Sequence, residues 1–548
     1  MTFKAVILDG YVDEPACLGV PPYISPYVRT VAGVFIEHGY EVGYITIDSL
    51  RANPMDVVKL READLVVMIA GVTVPGKYLA GTPANLTEIQ QIGFTLQGRG
   101  LLCGPIAFGY SPQGGQKAVK DLSSRWTLLE GDPASALNSY LLGKEPKGIL
   151  SYSDFDRWAV LGAEIISKHP FFPNVMLELE TVRGCSRCIS GGCSFCTEPF
   201  YGLPRQRSIS GISSEVRALS GFGAVHFRLG RQPDLLAYGV SGAEFPKPDA
   251  DILRKLFTEI RFAAPELKTL HIDNINPGTI ARHEDASREA LKAIVEGHTE
   301  GDIAAFGVES ADPAVISANN LKGSPKDIFR AVEIVNEVGG VRKNGVPELL
   351  PGLNFISGLA GETKETFEIN IAFLKKIYDA GLLVRRVNMR QLMPFEGTRA
   401  FTENTLGLHD KEFHAFKETV RRNFDVPMLQ RVFPVGTLLK DIIVEISGEI
   451  SFGRQMGTYP ILIGLPERLA VGEIVNAVCV SYGARSVTAL RAPIKINELS
   501  SSALKWIPGI SKKLLPKVIA KRPYISEDGL KGVVTADEIN SVMKYIEF

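Results

Sequence analysis

The chain has 548 residues, of which 45% are hydrophobic and 22% charged, an ordinary globular composition at a length that calls for several domains. Its 60 Lys and Arg nearly balance its 61 Asp and Glu, which excludes a general electrostatic attraction to nucleic acid or to an anionic membrane. The start lacks a basic signal-peptide region, and no apolar run is long enough to span a bilayer. We therefore expect a cytoplasmic, multidomain α/β protein.

Residues 1–150 alternate apolar strands with helical segments, which predicts a doubly wound, Rossmann-like parallel sheet. The expected strands cover residues 4–9, 41–46, 64–70 and 101–104 with 106–108. In such sheets ligands bind beyond the carboxyl ends of the strands. Small residues follow two of these ends and would let a flat ligand approach the backbone: Gly71, Val72, Thr73, Gly104 and Pro105.

A linker over residues 151–174 leads into a second strand–helix series over 175–430. Its six expected strands predict a partial (β/α)6 barrel, with active residues at the carboxyl ends of the strands; they lie near residues 175–182, 224–229, 269–273, 304–309, 353–356 and 384–390. Residues 431–495 change to short strands with Gly and Pro turns, which predicts a small β barrel. Residues 496–548 combine short helical stretches with a Pro-Gly turn.

Four of the seven cysteines lie in the segment RGCSRCISGGCSFC, residues 183–196, directly after the first predicted barrel strand. A disulfide, a zinc site and an iron–sulfur cluster are the competing interpretations. A reducing cytosol disfavours disulfides, and only four residues separate the two Cys-x2-Cys pairs, which is too few for the facing knuckles of a zinc ribbon. Tight loops of thiolates are typical of iron–sulfur clusters, so the spacing favours a cluster.

The loop, the strand before it and the barrel after it resemble the radical S-adenosylmethionine (SAM) superfamily over residues 175 to about 400. In that superfamily three cysteines hold a 4Fe–4S cluster, and the fourth iron binds the amino and carboxylate groups of SAM. The usual spacing of these cysteines in the superfamily is Cys-x3-Cys-x2-Cys. In this chain Cys185, Cys193 and Cys196 have the spacing Cys-x7-Cys-x2-Cys. Cys188 lies in or beside the four inserted residues. Either Cys185 or Cys188 can supply the first ligand, and the position after the strand favours Cys185.

Three further segments resemble motifs of the same superfamily in the expected order. FGVES at 306–310 resembles the fourth-strand motif whose Glu and Ser reach SAM, NFISGLAGET at 354–363 resembles the fifth-strand motif, and QLMPFEGT at 391–398 the sixth. The end of the second strand is a further candidate for cofactor contact. The resemblance thus implies SAM-binding roles for Phe195, Arg231, Gln232, Glu309, Ser310 and Gln391.

A doubly wound domain ahead of such a barrel resembles the cobalamin-dependent radical SAM methyltransferases, which methylate unactivated carbon with methylcobalamin. The resemblance implies that Gly71, Val72, Thr73, Gly104 and Pro105 cradle the corrin. The usual Asp-x-His-x-x-Gly motif for cobalt is absent, which leaves two explanations: cobalt has no histidine ligand, or the domain is a relic that binds no cobalamin. The stretched cysteine loop resembles the methanogen family that methylates the Cα of a glutamine in the α subunit of methyl-coenzyme M reductase. That protein substrate and an electron donor are the implied partners.

The C-terminal modules leave a second function open. The small barrel resembles the TRAM domains of RNA-modifying enzymes, and the segment after Ile507 resembles a helix-hairpin-helix whose turn amides and lysines can hold phosphate. A radical SAM enzyme that modifies tRNA is therefore the alternative, and a packing role for these modules competes with it. A methylthiotransferase needs a second cluster, for which only Cys17, Cys103 and Cys479 remain, scattered along the chain. A non-enzymatic scaffold is disfavoured by the SAM-type motifs.

Overall fold

The computed structural model describes residues 3–12, 23–71, 81–96, 99–122, 125–343, 345–534 and 537–548. Parallel strands alternate with helices over most of this length, and a small β barrel follows. Within the described ranges, no helix combines the length and the apolar character needed to cross a bilayer.

The first part of the chain forms a five-stranded sheet in the order β3-β1-β4-β5-β6, and its neighbouring strands are parallel. The strands up to residue 148 are β1 (Lys4–Asp9), β2 (Tyr23–Ile24), β3 (Glu41–Thr46), β4 (Leu65–Ile69), β5 (Gly100–Cys103), β6 (Thr127–Leu128), β7 (Glu130–Gly131) and β8 (Lys147–Gly148). The helices are α1 (Pro26–Glu37), α2 (Ile47–Ala52), α3 (Val57–Glu62), α4 (Leu86–Thr95), α5 (Pro133–Leu141) and α6 (Tyr152–Leu161).

Four of the five strands of this sheet lie where the alternation of apolar and helical segments predicts them, and β6 was not predicted. Every residue of β4 is buried and apolar, as expected for a parallel strand that is covered on both faces. The prediction that the fourth strand continues over residues 106–108 is wrong, because Pro105–Phe108 form a 3-10 turn. Proline at its first position fixes φ near the helical value and cannot donate to a strand ladder.

The central strands form two parallel sheets, with the strand orders β13-β12-β9-β2 and β14-β15-β16. A parallel bridge between Asn274 and Ala305 joins the two sheets. The strands are β9 (Met176–Glu180), β10 (Val182–Arg183), β11 (Arg205–Gln206), β12 (His226–Gly230), β13 (Thr269–Ile272), β14 (Asp302–Glu309), β15 (Leu349–Ser357) and β16 (Arg386–Gln391). The helices are α7 (Ile209–Gly221), α8 (Ala250–Ala263), α9 (Pro277–Arg282), α10 (Glu284–Gly297), α11 (Pro313–Ala318), α12 (Pro325–Gly339), α13 (Lys364–Asp379), α14 (Asp410–Val420) and α15 (Val426–Val432). Six of these strands coincide with the six predicted ones.

The edge strand β2 belongs to the central sheet although it lies near the start of the chain. Tyr23 and Ile24 pair in parallel with Met176 and Leu177 of β9. The helix after β2 is held to the same sheet by Arg29, whose buried guanidinium bonds Glu215 of α7 and the carbonyl of Glu178. The first part of the chain is therefore built into the central sheet rather than placed beside it.

The C-terminal part begins with a closed five-stranded barrel in the order β17-β18-β19-β21-β20. The strands are β17 (Leu438–Ile446), β18 (Ser451–Gln455), β19 (Leu462–Leu465), β20 (Ile474–Tyr482), β21 (Ser486–Arg491), β22 (Ile494–Lys495) and β23 (Ile546–Glu547), and the helices are α16 (Ser501–Leu504), α17 (Leu515–Ala520), α18 (Glu527–Lys531) and α19 (Asp537–Met543). The predicted small β barrel is confirmed. Thr458 joins it to the central strands by donating to Nδ1 of His271 at 2.9 Å, and one apolar core continues through all three regions.

Candidate functional site

The cysteine loop follows β9 at the carboxyl edge of the central sheet. Gly184, at φ +94°, turns the chain into it, and a Cβ there would lie 2.6 Å from the Gly202 carbonyl oxygen, so the turn requires glycine. Cys185, Cys193 and Cys196 border one cavity at this edge. Cys188 is partly exposed and is not among the described residues that border it.

The three cavity cysteines lie in a poor environment for free thiolates. Burial raises the pKa of Cys185 to about 12, raises that of Cys193, and raises that of Cys196 well above the usual range. Each neighbouring sulfur would add to the cost as a second negative charge, so the set becomes anionic only beside a strong positive charge. In the described part of the chain, no three His, Cys, Asp or Glu side chains are grouped tightly enough to hold a single metal ion.

A carboxyl group and an ammonium group border the same cavity. Glu309 ends β14 at φ +60°, after a register shift in the pairing with β15, and this left-handed conformation is strained for a side chain of its size. A Cβ added at Gly307 would lie 2.3 Å from both Glu309 Oε1 and Lys322 Nζ, so both groups converge on the space that glycine leaves open. Burial raises the pKa of Glu309 to about 7, and the nearby Lys322 and Arg390 lower it. The pair can bind a ligand that carries both charges.

The predicted SAM residues divide between the cavity and its supporting walls. Phe195 and Glu309 border the cavity, and Phe195 also packs against the apolar cluster around Leu359. Ser310 is buried, and its hydroxyl accepts from the Asp312 amide at 3.1 Å. Gln391 donates to Asp410 at 2.8 Å. Neither Ser310 nor Gln391 is among the described residues that border this cavity.

Arg231 and Gln232 lie behind the cavity wall. Arg231, at φ +56°, donates to Glu198 at 3.0 Å and to the Tyr27 hydroxyl at 3.1 Å, so it links α1 to the segment after Cys196. Gln232 donates to the Leu229 carbonyl at 3.2 Å. Within the described ranges neither residue borders the cavity. The structure thus places both in the framework that supports the cysteine loop.

The carboxyl edge of the five-stranded sheet faces the cysteine loop. The ring of Phe108 lies 5.8 Å from that of Phe200 and 5.6 Å from that of Tyr201, which follow Cys196. Gly104 has φ +100°, and a Cβ there would lie 2.6 Å from the Ala70 carbonyl oxygen, so the neighbouring strand already requires glycine at this position. Pro105 begins the 3-10 turn and Gly71 ends the described chain after β4. Val72 and Thr73 lie outside the described residues.

Several polar residues that border the cavity were given no role by the sequence analysis. Lys322 follows α11 in no recognisable motif, and only the fold brings it to Glu309. Asp234, Asn276 and Glu198 also border the cavity. Burial raises the pKa of Asp234 to about 6, while donation from the Thr279 hydroxyl at 2.7 Å lowers it.

The fold and this cavity define an α/β protein with an open parallel barrel, whose carboxyl edge carries three cysteines and a carboxyl–ammonium pair around one cavity. No family model matches the chain. An uncharacterized protein of Archaeoglobus fulgidus is 42% identical over 533 residues, 97% of each chain, and the uncharacterized protein MJ0274 of Methanocaldococcus jannaschii is 44% identical over 513 residues, 89% of this chain and 93% of the relative. The chain belongs to the family that these archaeal proteins form.

Among solved structures, the radical SAM methyltransferase TsrM from Kitasatospora setae aligns with 73% of this chain and 74% of its own at 13% identity and a TM-score of 0.49. That enzyme has been solved with cobalamin and a [4Fe-4S] cluster, and also with tryptophan substrate and a SAM analogue.

Proposed function

We propose that this protein is a cobalamin-dependent radical SAM C-methyltransferase that modifies an unactivated carbon of a protein residue. The observation that carries the proposal is the cavity itself. Its border holds Cys185, Cys193 and Cys196 together with Glu309 and Lys322.

The three cysteines suit a 4Fe–4S cluster that keeps one iron free of protein ligands. Cys193 is buried and the other two are partly buried, all three border one cavity, and they are not grouped tightly enough for a single ion. Their raised pKa values mean that loading a cluster must release protons, because only thiolates ligate iron. Cys188 is not among the described residues that border the cavity, which supports Cys185 as the first ligand.

Glu309 and Lys322 suit the amino-acid part of SAM. The ionised carboxylate of Glu309 accepts hydrogen bonds from an ammonium group, and Lys322 Nζ donates to a carboxylate. No described residue forms an ion pair with Lys322, so its charge is available to a ligand. Gly307 keeps the space between the two groups open, and Phe195 covers the cavity with an apolar surface that excludes water.

Held by these cysteines, a cluster would supply an electron to the sulfonium of SAM, and bound cobalamin would supply the methyl group for transfer. The carboxyl edge of the five-stranded sheet is the proposed cobalamin site, supported by its position opposite the cysteine loop. Gly71, Gly104 and Pro105 offer backbone groups and small side chains there, and Phe108 offers an apolar ring, which suits a flat macrocycle.

For the acceptor we propose the Cα of a glutamine in the α subunit of methyl-coenzyme M reductase. The support is the resemblance of the Cys-x7-Cys-x2-Cys loop to the family with that activity. A methylthiotransferase is less well supported, because the described cysteines outside the loop, Cys103 and Cys479, are buried in different regions of the fold.

The cofactor proposal is tested by anaerobic purification with iron analysis and visible spectra before and after addition of hydroxocobalamin. Alanine variants of Cys185, Cys193 and Cys196 should each lose the cluster, and Cys188→Ala should keep it as the matched control. Retention of iron in the first three variants would contradict the cluster site. A spectrum unchanged by hydroxocobalamin, after removal of the free corrin, would contradict the cobalamin site.

The acceptor is tested by mass spectrometry of methyl-coenzyme M reductase from a methanogen that lacks the gene. The modified glutamine should lose its 14 Da methyl increment, about one CH2. A glutamine that stays methylated in the deletion strain would contradict the acceptor and leave the cofactor proposal intact.

A further inference from the structure

The segment between the first two cavity cysteines contains a buried arginine. Residues Ser186–Ser190 form a 3-10 turn, and Gly191 and Gly192, at φ +84° and +67°, return the chain toward Cys193. The turn places Arg187 inside the protein with 3% of its surface exposed. The four residues that stretch this loop therefore make room for a charged side chain next to the sulfurs.

The guanidinium of Arg187 contacts one of the cavity sulfurs directly. Its Nη1 donates to Sγ of Cys193 at 3.1 Å. Nε donates to Glu244 Oε1 at 3.0 Å and Nη2 to Asn320 Oδ1 at 3.1 Å, so each of the three nitrogens has its own partner. The guanidinium also lies over the ring of Phe245, 5.5 Å from its centroid.

The groups around Arg187 hold the turn on both sides. Ser186 donates to the Glu244 carbonyl oxygen and Ser190 donates to the Glu244 carboxylate, both at 2.8 Å. On the other side, Asn320 Nδ2 donates to the carbonyl of Gly192 at 3.0 Å. Because these bonds fix both ends of the turn, the guanidinium is pre-positioned at the sulfur.

We propose that Arg187 is a positioning residue that tunes the cluster, by donating a charge-assisted hydrogen bond to the Cys193 thiolate and so raising the reduction potential. The inference rests on the proposed function, because it takes Cys193 as a cluster ligand. It goes beyond that function because it assigns a role to the inserted residues: they place one positive charge beside one ligand sulfur.

The sign of the effect follows from charge. Reduction adds one electron to the cluster, and part of that negative charge lies on the sulfurs. A buried positive donor stabilises the reduced form more than the oxidised form, and burial limits screening by water. Glu244 opposes the effect, because its carboxylate pairs with the same guanidinium.

Redox titration of the anaerobically loaded protein, followed by the EPR signal of the reduced cluster, measures this effect without enzyme turnover. Arg187→Met should make one-electron reduction about tenfold less favourable, a downward shift of about 59 mV. Arg187→Lys keeps the charge with a shorter reach, so its potential should lie between those of Arg187→Met and the wild type.

Two further variants separate tuning from damage to the loop. Glu244→Gln keeps a hydrogen-bond acceptor but removes the opposing charge, so it should raise the potential. Arg282→Met is the matched control, because Arg282 stacks on the same Phe245 ring at 3.8 Å without a hydrogen bond to a described cysteine. Its potential should equal that of the wild type.

The outcomes are distinguishable from failure of the proposed function. If the wild type binds no iron, the cluster proposal fails. If the wild type and Arg187→Met both load a cluster with equal potentials, the tuning role is overturned. Loss of the cluster in both Arg187 variants, with Arg282→Met normal, would assign Arg187 to cluster assembly and likewise overturn tuning.

Discussion

Asp273 is a carboxyl group whose ionisation the fold opposes. Its side chain is 0% exposed, and neither of its oxygens has a hydrogen-bond partner among the described residues. Burial raises its pKa to about 7; the charges of Glu178 and Asp302 also raise it, and Arg228 and Arg390 lower it. We therefore predict that replacing Asp273 with asparagine stabilises the protein above neutral pH.

The magnitude follows from proton linkage. The unfolded aspartate has a pKa near 3.8, so it ionises well below the pH at which the folded group does. Below about pH 4 the carboxyl is protonated in both states, and the fold keeps its full stability. Each pKa unit is worth about 1.4 kcal/mol, so the wild type loses on the order of 4 kcal/mol as pH rises to about 7. Above that pH the loss is complete.

The assay compares thermal unfolding of the wild type and Asp273→Asn without cofactors between pH 5 and pH 8. The difference in midpoint should grow in favour of the variant up to about pH 7 and then level off. Burying the amide of the introduced asparagine shifts the unfolding midpoint of the variant by an amount that does not depend on pH. Asp251→Asn, at a side chain that is 93% exposed, is the control. A difference between Asp273→Asn and wild type that stays constant with pH would refute the reasoning.

Three further predictions concern packing, ligand binding and buried charge. A Cβ at Gly33 would lie 2.0 Å from a carbonyl oxygen of α6, whereas a Cβ at Gly221 meets nothing within 4 Å. Chemical unfolding should therefore show that Gly33→Ala lowers the free energy of unfolding by about 1–3 kcal/mol and that Gly221→Ala leaves it nearly unchanged. Equal costs for the two variants would contradict this packing. Lys322→Met should weaken SAM binding about tenfold or more in equilibrium dialysis, because it loses a charged hydrogen bond worth about 1.5–3 kcal/mol. Lys322→Arg should retain most of the affinity. An unchanged dissociation constant in the Met variant would show that Lys322 does not belong to the ligand site. Arg207→Met removes one of the two arginines that pair with the buried Glu215 and takes the charged partner from the partly exposed Asp156, so it should cost about 1–3 kcal/mol. The half-exposed Arg157→Met should cost about 0–1 kcal/mol, and similar unfolding midpoints for the two variants would be the contrary result.

Local sequence was a good guide to the strands and to the cysteine loop. Strands such as β4 and β14 are short, apolar and flanked by helical segments, and that periodicity is written in neighbouring residues. The cysteine spacing likewise places Cys193 and Cys196 within one turn of each other. Local rules failed at β18, Ser451–Gln455, whose small and polar residues give no apolar alternation and which pairs only because the barrel closes around it.

The residues that define the chemistry of the cavity needed the tertiary structure. Lys322 reaches Glu309 only because the chain folds back after α11, and Arg187 reaches Asn320 across a separation of 133 residues, which no local pattern encodes. The same holds for β2, which joins a strand more than 150 residues away, and for the isolation of Asp273. The sequence by itself determined where most strands and the cysteine loop lie along the chain, because both depend on neighbouring residues. The charges that surround the thiols of that loop depend on which surfaces the fold buries together, and only the folded structure decides that.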